Sequence, residues 1–499
     1  MRRDRTTEGT AVVVGSGPNG LAAAIRLARA GLRVTVLEAA ATPGGGCRSE
    51  VHTAPGLLHD DCAGFHPLGI ASPFLSSLGL ERHGLRWRWA DVDLAHPLDG
   101  GRAGLLGRDP RLVADSLDDD HGTGAGERWR RLFAPATGHF ADVVAEALRP
   151  VLHVPRHPLT LARFGARAVL PATTSARLLA DEAGSALFTG IAAHGFGRLD
   201  RPLTSAVGLL LGAAAQVVGW PVAAGGSAAI VDALVATLEE HGGRVLTGVR
   251  VTALDAVAEQ ADLDAPPDLV LLDTAPAGAL QIVGDLLPTG VRRSFTRFRY
   301  GPAAWKVDLA VEGGVPWTAE GCRRAGVLHV GGSTREIAAA EAATARGRMP
   351  ERPFVLVGQQ HLADPSRSAG DVHPLYAYAH VPNGYDGDAT PAVLAQLERF
   401  APGLRERVVA TAVRGPAALE EHDANYVGGD IAAGAATARQ IVFRPRPGLD
   451  PYSLGVPGLY LCSASTPPGA GVHGMSGFHA AGAALRDLAR SRRRGGSGD

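Results

Sequence analysis

Four short stretches of this chain hold residue types at spacings that can do chemistry. In "AVVVGSGPNG" (11–20), Gly15, Gly17 and Gly20 stand at G-x-G-x-x-G directly after a run of valines. Gly15 permits a tight turn, Gly17 lets the backbone approach a pyrophosphate, and Gly20 lets a following helix pack closely on the strand. A helix opening there, with Ser16, Pro18 and Asn19 in its loop, turns unpaired N–H groups and a partial positive charge towards phosphate. Glu38 stands eighteen residues after Gly20. Its carboxylate is placed to accept both hydroxyls of an adenosine ribose, and it repels a 2′-phosphate. A second glycine cluster, "PGGGCRSE" (43–50), brings Gly45, Gly46 and Arg48 directly after Glu38. The third stretch is "AAWKVDLAVEGGVPW", whose Lys306 is the single lysine among 49 lysines and arginines. Lysine is a compact donor on a flexible stem whose pKa can move when buried, and arginine does not replace it in that role. The fourth is "GAGVHGMSG", where His473 can accept a proton or serve as an ordinary cap.

These residues need elements to hold them. "TAVVVG" reads as a buried strand, "GLAAAIRLARAG" as a helix closed by Gly31, and "LRVTVLEA" as a second buried strand. That is a βαβ unit with the glycine loop at its first turn. "GGSAAIVDALVATLEEHGG" reads as a helix, "RVLTGVRVTALDA" as a strand pair or bent strand, and "PDLVLLDTA" (267–275) as another buried strand. "GLYLCSAS" (458–465) and "GFHAAGAALRDLARS" read as a closing strand and helix. The dinucleotide element thus returns three times, with irregular sequence between. The expected architecture is α/β: a Rossmann-like dinucleotide-binding domain from 9–65, 220–300 and 440–490, and an inserted α+β substrate domain from 66–219 and 301–439. Residues 491–499 read as a frayed tail.

Composition narrows the function classes. A formal net charge of -1 over 499 residues leaves no electrostatic footprint for nucleic acid. The one basic cluster is "RSRRR" at 490–494. Cys47, Cys62, Cys322 and Cys462 are scattered without a C-x-x-C pair, so neither a zinc site nor a disulfide framework is expected, and a reducing cytoplasm is. Arg2, Arg3 and Arg5 precede an apolar stretch as in a secretory signal, but Gly15, Gly17, Pro18, Asn19 and Gly20 interrupt it. "LTSAVGLLLGAAAQVVGW" (203–220) has eighteen residues without a charge, the minimum for a spanning helix. Its three glycines and the following Pro221 favour a buried helix, with peripheral membrane contact left open.

The glycine loop, the second glycine cluster, "HDDCAGFHPLGIASPF" (59–74), "KVDLAVEGGVPW" (306–317), "NYVGGDI" (425–431) and "GLYLCSASTPPGAGVHGMSGFHAAGAAL" together resemble the phytoene desaturase-related flavoproteins of the amine oxidase superfamily. The likeness is greatest to the branch that includes pyridine nucleotide-disulfide oxidoreductase domain-containing protein 2. The resemblance implies FAD and a glutathione-reductase-like bipartite fold. It implies oxidation or desaturation of a small apolar substrate to a C=C or C=N bond, with dioxygen, a quinone or another acceptor reoxidising the flavin. It adds Val251, Ser465, Gly471 and Val472 to the cofactor contacts. It aligns Lys306 with a strand that carries a lysine towards flavin N5, and puts His473 beside the ring system. On that basis Lys306 should matter to flavin chemistry and little to folding. The pattern departs from the amine oxidases at two places: Gly46 stands where they carry arginine, and Val472 and His473 stand where they place an aromatic wall for the amine. An amine or amino-acid oxidase, a redox-neutral flavin isomerase, and a flavin-free binding protein like the Rab GDP-dissociation inhibitors are the alternatives.

Overall fold

The structure is a computed structural model and describes residues 9–118 and 124–495. Its main strands are β1 (Thr10–Val14), β2 (Arg33–Leu37), β3 (Val92–Pro97), β4 (Ala103–Leu106), β5 (Arg244–Leu246) and β6 (Leu269–Leu272). They continue with β7 (Ala303–Glu312), β8 (Ala325–Val330), β9 (Val355–Gly358), β10 (Val372–Val381), β11 (Val408–Arg414) and β12 (Leu459–Leu461). The longer helices are α1 (Pro18–Arg29), α2 (Ala125–Thr137), α3 (Pro158–Ala168), α4 (Glu182–Ala193), α5 (Ser205–Val217), α6 (Ala228–Glu240), α7 (Thr334–Thr344), α8 (Thr390–Phe400) and α9 (Met475–Gly495).

One sheet is parallel, in the order β12-β6-β1-β2-β5. Its strands are short apolar runs because helices cover both faces. Ala11 and Val13 of β1 pack with Leu21, Ala24 and Ile25 of α1. Val12 and Val14 point the other way, into a core with Ile282, Val291 and Phe295. The two-residue period of a strand thus divides one apolar run between two cores. α1 also packs against α9, so closely that a Cβ on Gly477 would collide with the carbonyl of Asn19.

The second sheet is mixed, in the order β11-β7-β10-β9-β8-β3-β4, with only β8 and β3 parallel. In β7, second from one edge of this sheet, Ala303, Trp305, Val307, Leu309 and Val311 enter an apolar core with Val393 and Leu397 of α8. Lys306 and Asp308 lie on the opposite face of the strand. They are nevertheless buried, because that face also packs inward.

Two local expectations change and a third holds. Of "RVLTGVRVTALDA" only Arg244–Leu246 is strand. The glycine at 248 takes φ +72°, which turns the chain out of the sheet. The frayed tail is shorter than expected: α9 runs to Gly495, so residues 491–495 are helical, and 496–499 lie outside the described residues. The 203–220 segment forms α5, thirteen residues or about 20 Å long. No described helix is long and apolar enough to cross a membrane.

Candidate functional site

A cleft of about 390 Å³ opens at the carboxyl ends of β1, β2 and β6, where open parallel sheets bind ligands. Gly15, Ser16, Gly17, Pro18, Asn19, Glu38, Gly45, Gly46, Arg48, Val251, Ser465, Gly471 and Val472 all line it. Gly20 sits just behind, in the first turn of α1, where a Cβ would strike the carbonyl of Gly15. Gly15 has φ +100°, a conformation that only glycine adopts readily.

The carboxylate of Glu38 is fixed before any ligand arrives. Its Oε2 accepts from the Ser16 N–H at 2.9 Å and the Ser16 hydroxyl at 2.5 Å, and its Oε1 from the Ala40 N–H at 2.8 Å. The guanidinium of Arg48 lies 3.6 Å from Oε1, held in turn by the Thr42 carbonyl at 3.3 Å. A carboxylate offers about four acceptor sites, so one remains for a ribose hydroxyl.

Gly46 has a local cause. A Cβ there would collide with the hydroxyl of Tyr426, which reaches into the cleft from the segment after β11. The same segment delivers Asp423 and Asn425. Asn425 accepts from the Ala275 N–H at 2.7 Å and donates to the Asp273 carbonyl at 3.1 Å, tying the segment to the end of β6.

Asp273 is the residue that sequence reasoning missed most plainly. Gly15, Gly17 and Gly20 pack on it, and its Oδ2 accepts from the Gly20 N–H at 2.8 Å. Burial pushes its pKa up to about 8, and the neighbouring Asp423 and Glu38 add to the push. Burial also raises Asp423. The available signal was an aspartate closing an otherwise apolar strand, "LVLLD".

Lys306 and His473 do not line the cleft. Lys306 is buried one layer behind it. Its ammonium pairs with Asp308 and lies 4.7 Å from the centre of the Tyr376 ring. The Tyr376 hydroxyl in turn donates to the carbonyl of Cys62, a residue of the cleft wall. His52 Nε2 lies 2.9 Å from Asp308 Oδ2, and His59 Nδ1 lies 3.5 Å from Oδ1. Against the upward push of burial, the Lys306 charge and these two histidines hold the Asp308 carboxyl well below the usual range. His52, His59 and Asp308 are near enough to suggest a metal triad. The ammonium already sits in the cation's place, which makes the cluster an ion-pair network. The expectation that Lys306 matters little to folding therefore needs correction, since its removal strands a buried carboxylate.

His473 caps α9. Its Nδ1 accepts from the Met475 N–H at 3.0 Å. Burial lowers its pKa to about 4. The backbone hydrogen bond to Nδ1 fits the cap reading.

The cleft fits a dinucleotide. Gly17 caps α1 without a side-chain hydrogen bond, and since Pro18 has no N–H and Asp273 takes that of Gly20, the first-turn N–H left for phosphate is that of Asn19. Asn19 Oδ1 and Thr274 Oγ1 are buried without partners, and both residues line the cleft. Known proteins agree. The model of the NAD(P)-binding Rossmann-like domain matches residues 13–73. The rat pyridine nucleotide-disulfide oxidoreductase domain-containing protein 2 is 23% identical, over 96% of this chain and 93% of its own. Hydroxysqualene dehydroxylase of Rhodopseudomonas palustris is 30% identical, over 59% of this chain and 68% of its own. Cyclohexylamine oxidase from Brevibacterium oxydans shares the fold, with a TM-score of 0.58 and 15% identity over 98% of this chain and 100% of its own. The chain belongs to the family of flavin-type oxidoreductases that unites the amine oxidases with the phytoene desaturase-related enzymes.

Proposed function

We propose that this protein is an FAD-dependent oxidoreductase of the dehydrogenase or desaturase type, acting on an apolar substrate. The observation that carries the cofactor assignment is the cleft itself, where a pinned Glu38 faces the uncapped start of α1. When bound, FAD supplies the hydride acceptor. Glu38 holds the adenosine ribose, the loop from Gly15 to Gly20 holds the pyrophosphate, and Ser465, Gly471 and Val472 line the far end. Val472, Ile431 and Ala63 add apolar surface to the cleft. This supports an apolar substrate. Lys306, paired with Asp308, acts from behind Tyr376 and Cys62, of which Cys62 lines the cleft, and the ammonium end of the pair favours negative charge developing there.

Two measurements test this reading. Heat-denatured protein should release FAD, and protein that yields none even after reconstitution would end the cofactor assignment. Lys306→Met alone leaves the buried Asp308 carboxylate with only His52 and His59 beside it, a loss of up to about 3–5 kcal/mol that would confuse folding with chemistry. The double variant Lys306→Met/Asp308→Asn removes both charges. It should fold and keep FAD, yet show flavin reduction or reoxidation slowed by about 10²-fold in stopped flow. Both rates within about twofold of the parent would leave the pair a structural feature.

A further inference from the structure

We propose that the surface built by residues 149–178 docks on an anionic phospholipid bilayer. The segment carries Arg149, Arg156, Arg163, Arg167 and Arg177 and no acidic residue, in a chain whose net charge is -1. Folding turns large apolar side chains outward on the same stretch. Val154 is 88% exposed, Leu159 73% and Leu178 59%, with Val151, Leu152 and Val169 also exposed.

Helix α3 organises part of this surface. It buries Phe164 and Ala168 against the protein. At 100° per residue, Leu159, Ala162, Arg163, Ala166, Arg167 and Val169 share the opposite side. Leu159, Ala162, Arg163, Ala166 and Val169 are exposed there, and Arg167 is half-buried. That side holds apolar and basic residues only. An ordinary solvated helix face would mix both signs of charge.

The arginines are free for an external partner. Among the described residues, Arg156, Arg163, Arg167 and Arg177 form no ion pair. Two carboxylates that precede the segment are already engaged. Buried Glu146 takes Arg149 at 3.9 Å and His153, and Asp142 takes His157 at 3.6 Å. A second copy of the chain would set arginine against arginine, so charge disfavours self-association through this face. Apolar side chains that enter the acyl boundary, flanked by arginines at headgroup level, fit a membrane surface.

Vesicle flotation with the full-length protein tests the proposal. The protein should float with phosphatidylcholine vesicles containing phosphatidylglycerol, and high salt should weaken the binding. It should stay in solution with pure phosphatidylcholine. Each exposed arginine near an anionic surface is worth about fivefold in partitioning. Arg156→Glu/Arg163→Glu should therefore lose at least about 25-fold. Val154→Asp/Leu159→Asp should abolish flotation. All four positions are exposed, so melting temperature and FAD content should match the parent, and a variant that misfolds is replaced by the serine equivalents. Four results would overturn the proposal: no flotation with anionic vesicles, equal binding to neutral ones, variants that bind as the parent does, or a dimer that these substitutions dissociate.

Discussion

Asp273→Asn should stabilise the cofactor-free protein, and more so as pH rises. The side chain is fully buried under the glycine loop, with a folded pKa of about 8. In the unfolded chain an aspartate titrates near 3.9. A folded pKa raised above the unfolded one gives stability that is present in acid and lost as pH rises. The window runs from about pH 4 to about pH 8, with a slope of about 1.4 kcal/mol per unit. At pH 7 the folded protein must retain a proton that the unfolded chain has released, which costs about 4 kcal/mol. Asparagine needs no proton, and its side-chain oxygen can still accept from the Gly20 N–H. Urea unfolding of parent and variant from pH 5 to pH 8 reads the difference directly. The gap should open by about 1.4 kcal/mol per unit up to pH 7 and level off near pH 8. A gap that stays constant with pH, or a variant less stable than the parent at pH 8, would refute a protonated Asp273.

Two further outcomes are expected. Glu38→Ala removes the acceptor of three protein hydrogen bonds and the partner of Arg48. FAD should bind about 10-fold more weakly by fluorescence titration, on the scale of one charged hydrogen bond to the ribose, and undiminished affinity would place the ribose elsewhere. Burial lowers His66, His96 and His473 to about pKa 4. A depressed histidine gives stability that is complete above about pH 6.5 and is lost as pH falls towards 4, by up to about 3 kcal/mol each. Three such groups outweigh the opposite trend of Asp273, so the melting temperature should drop between pH 7 and pH 5, and a flat profile would mean that these rings are hydrated.

The part of the site that lies along the sequence was legible in it. The valines before Gly15 forecast a strand buried on both sides, and the glycine spacing forecast the turn, because strand, loop and helix are contiguous. Glu38 could be placed from its distance alone, since the two parallel strands β1 and β2 run in register from Thr10 opposite Arg33 to Val14 opposite Leu37. The extent of β5 and the end of α9 could not be read this way. Both depend on where the chain stops packing, which tertiary contacts decide.

What stayed hidden was whatever the fold brings together from far apart. Asp273 lies 253 residues from Gly20, and Tyr426 reaches Gly46 from another part of the chain altogether. Seen in sequence, Gly46 is a missing arginine. In the fold it is the space a tyrosine requires, so restoring the arginine would expel Tyr426 rather than add a phosphate contact. Lys306 shows the same limit. Its rarity and its strand marked it, while the fold shows that it is buried together with Asp308. Only the fold adds His52 and His59 from the far end of the chain and so turns one notable lysine into a four-membered buried network. The charge that the sequence singled out therefore acts as one member of that network, and any chemistry assigned to Lys306 has to be tested with its carboxylate partner removed as well.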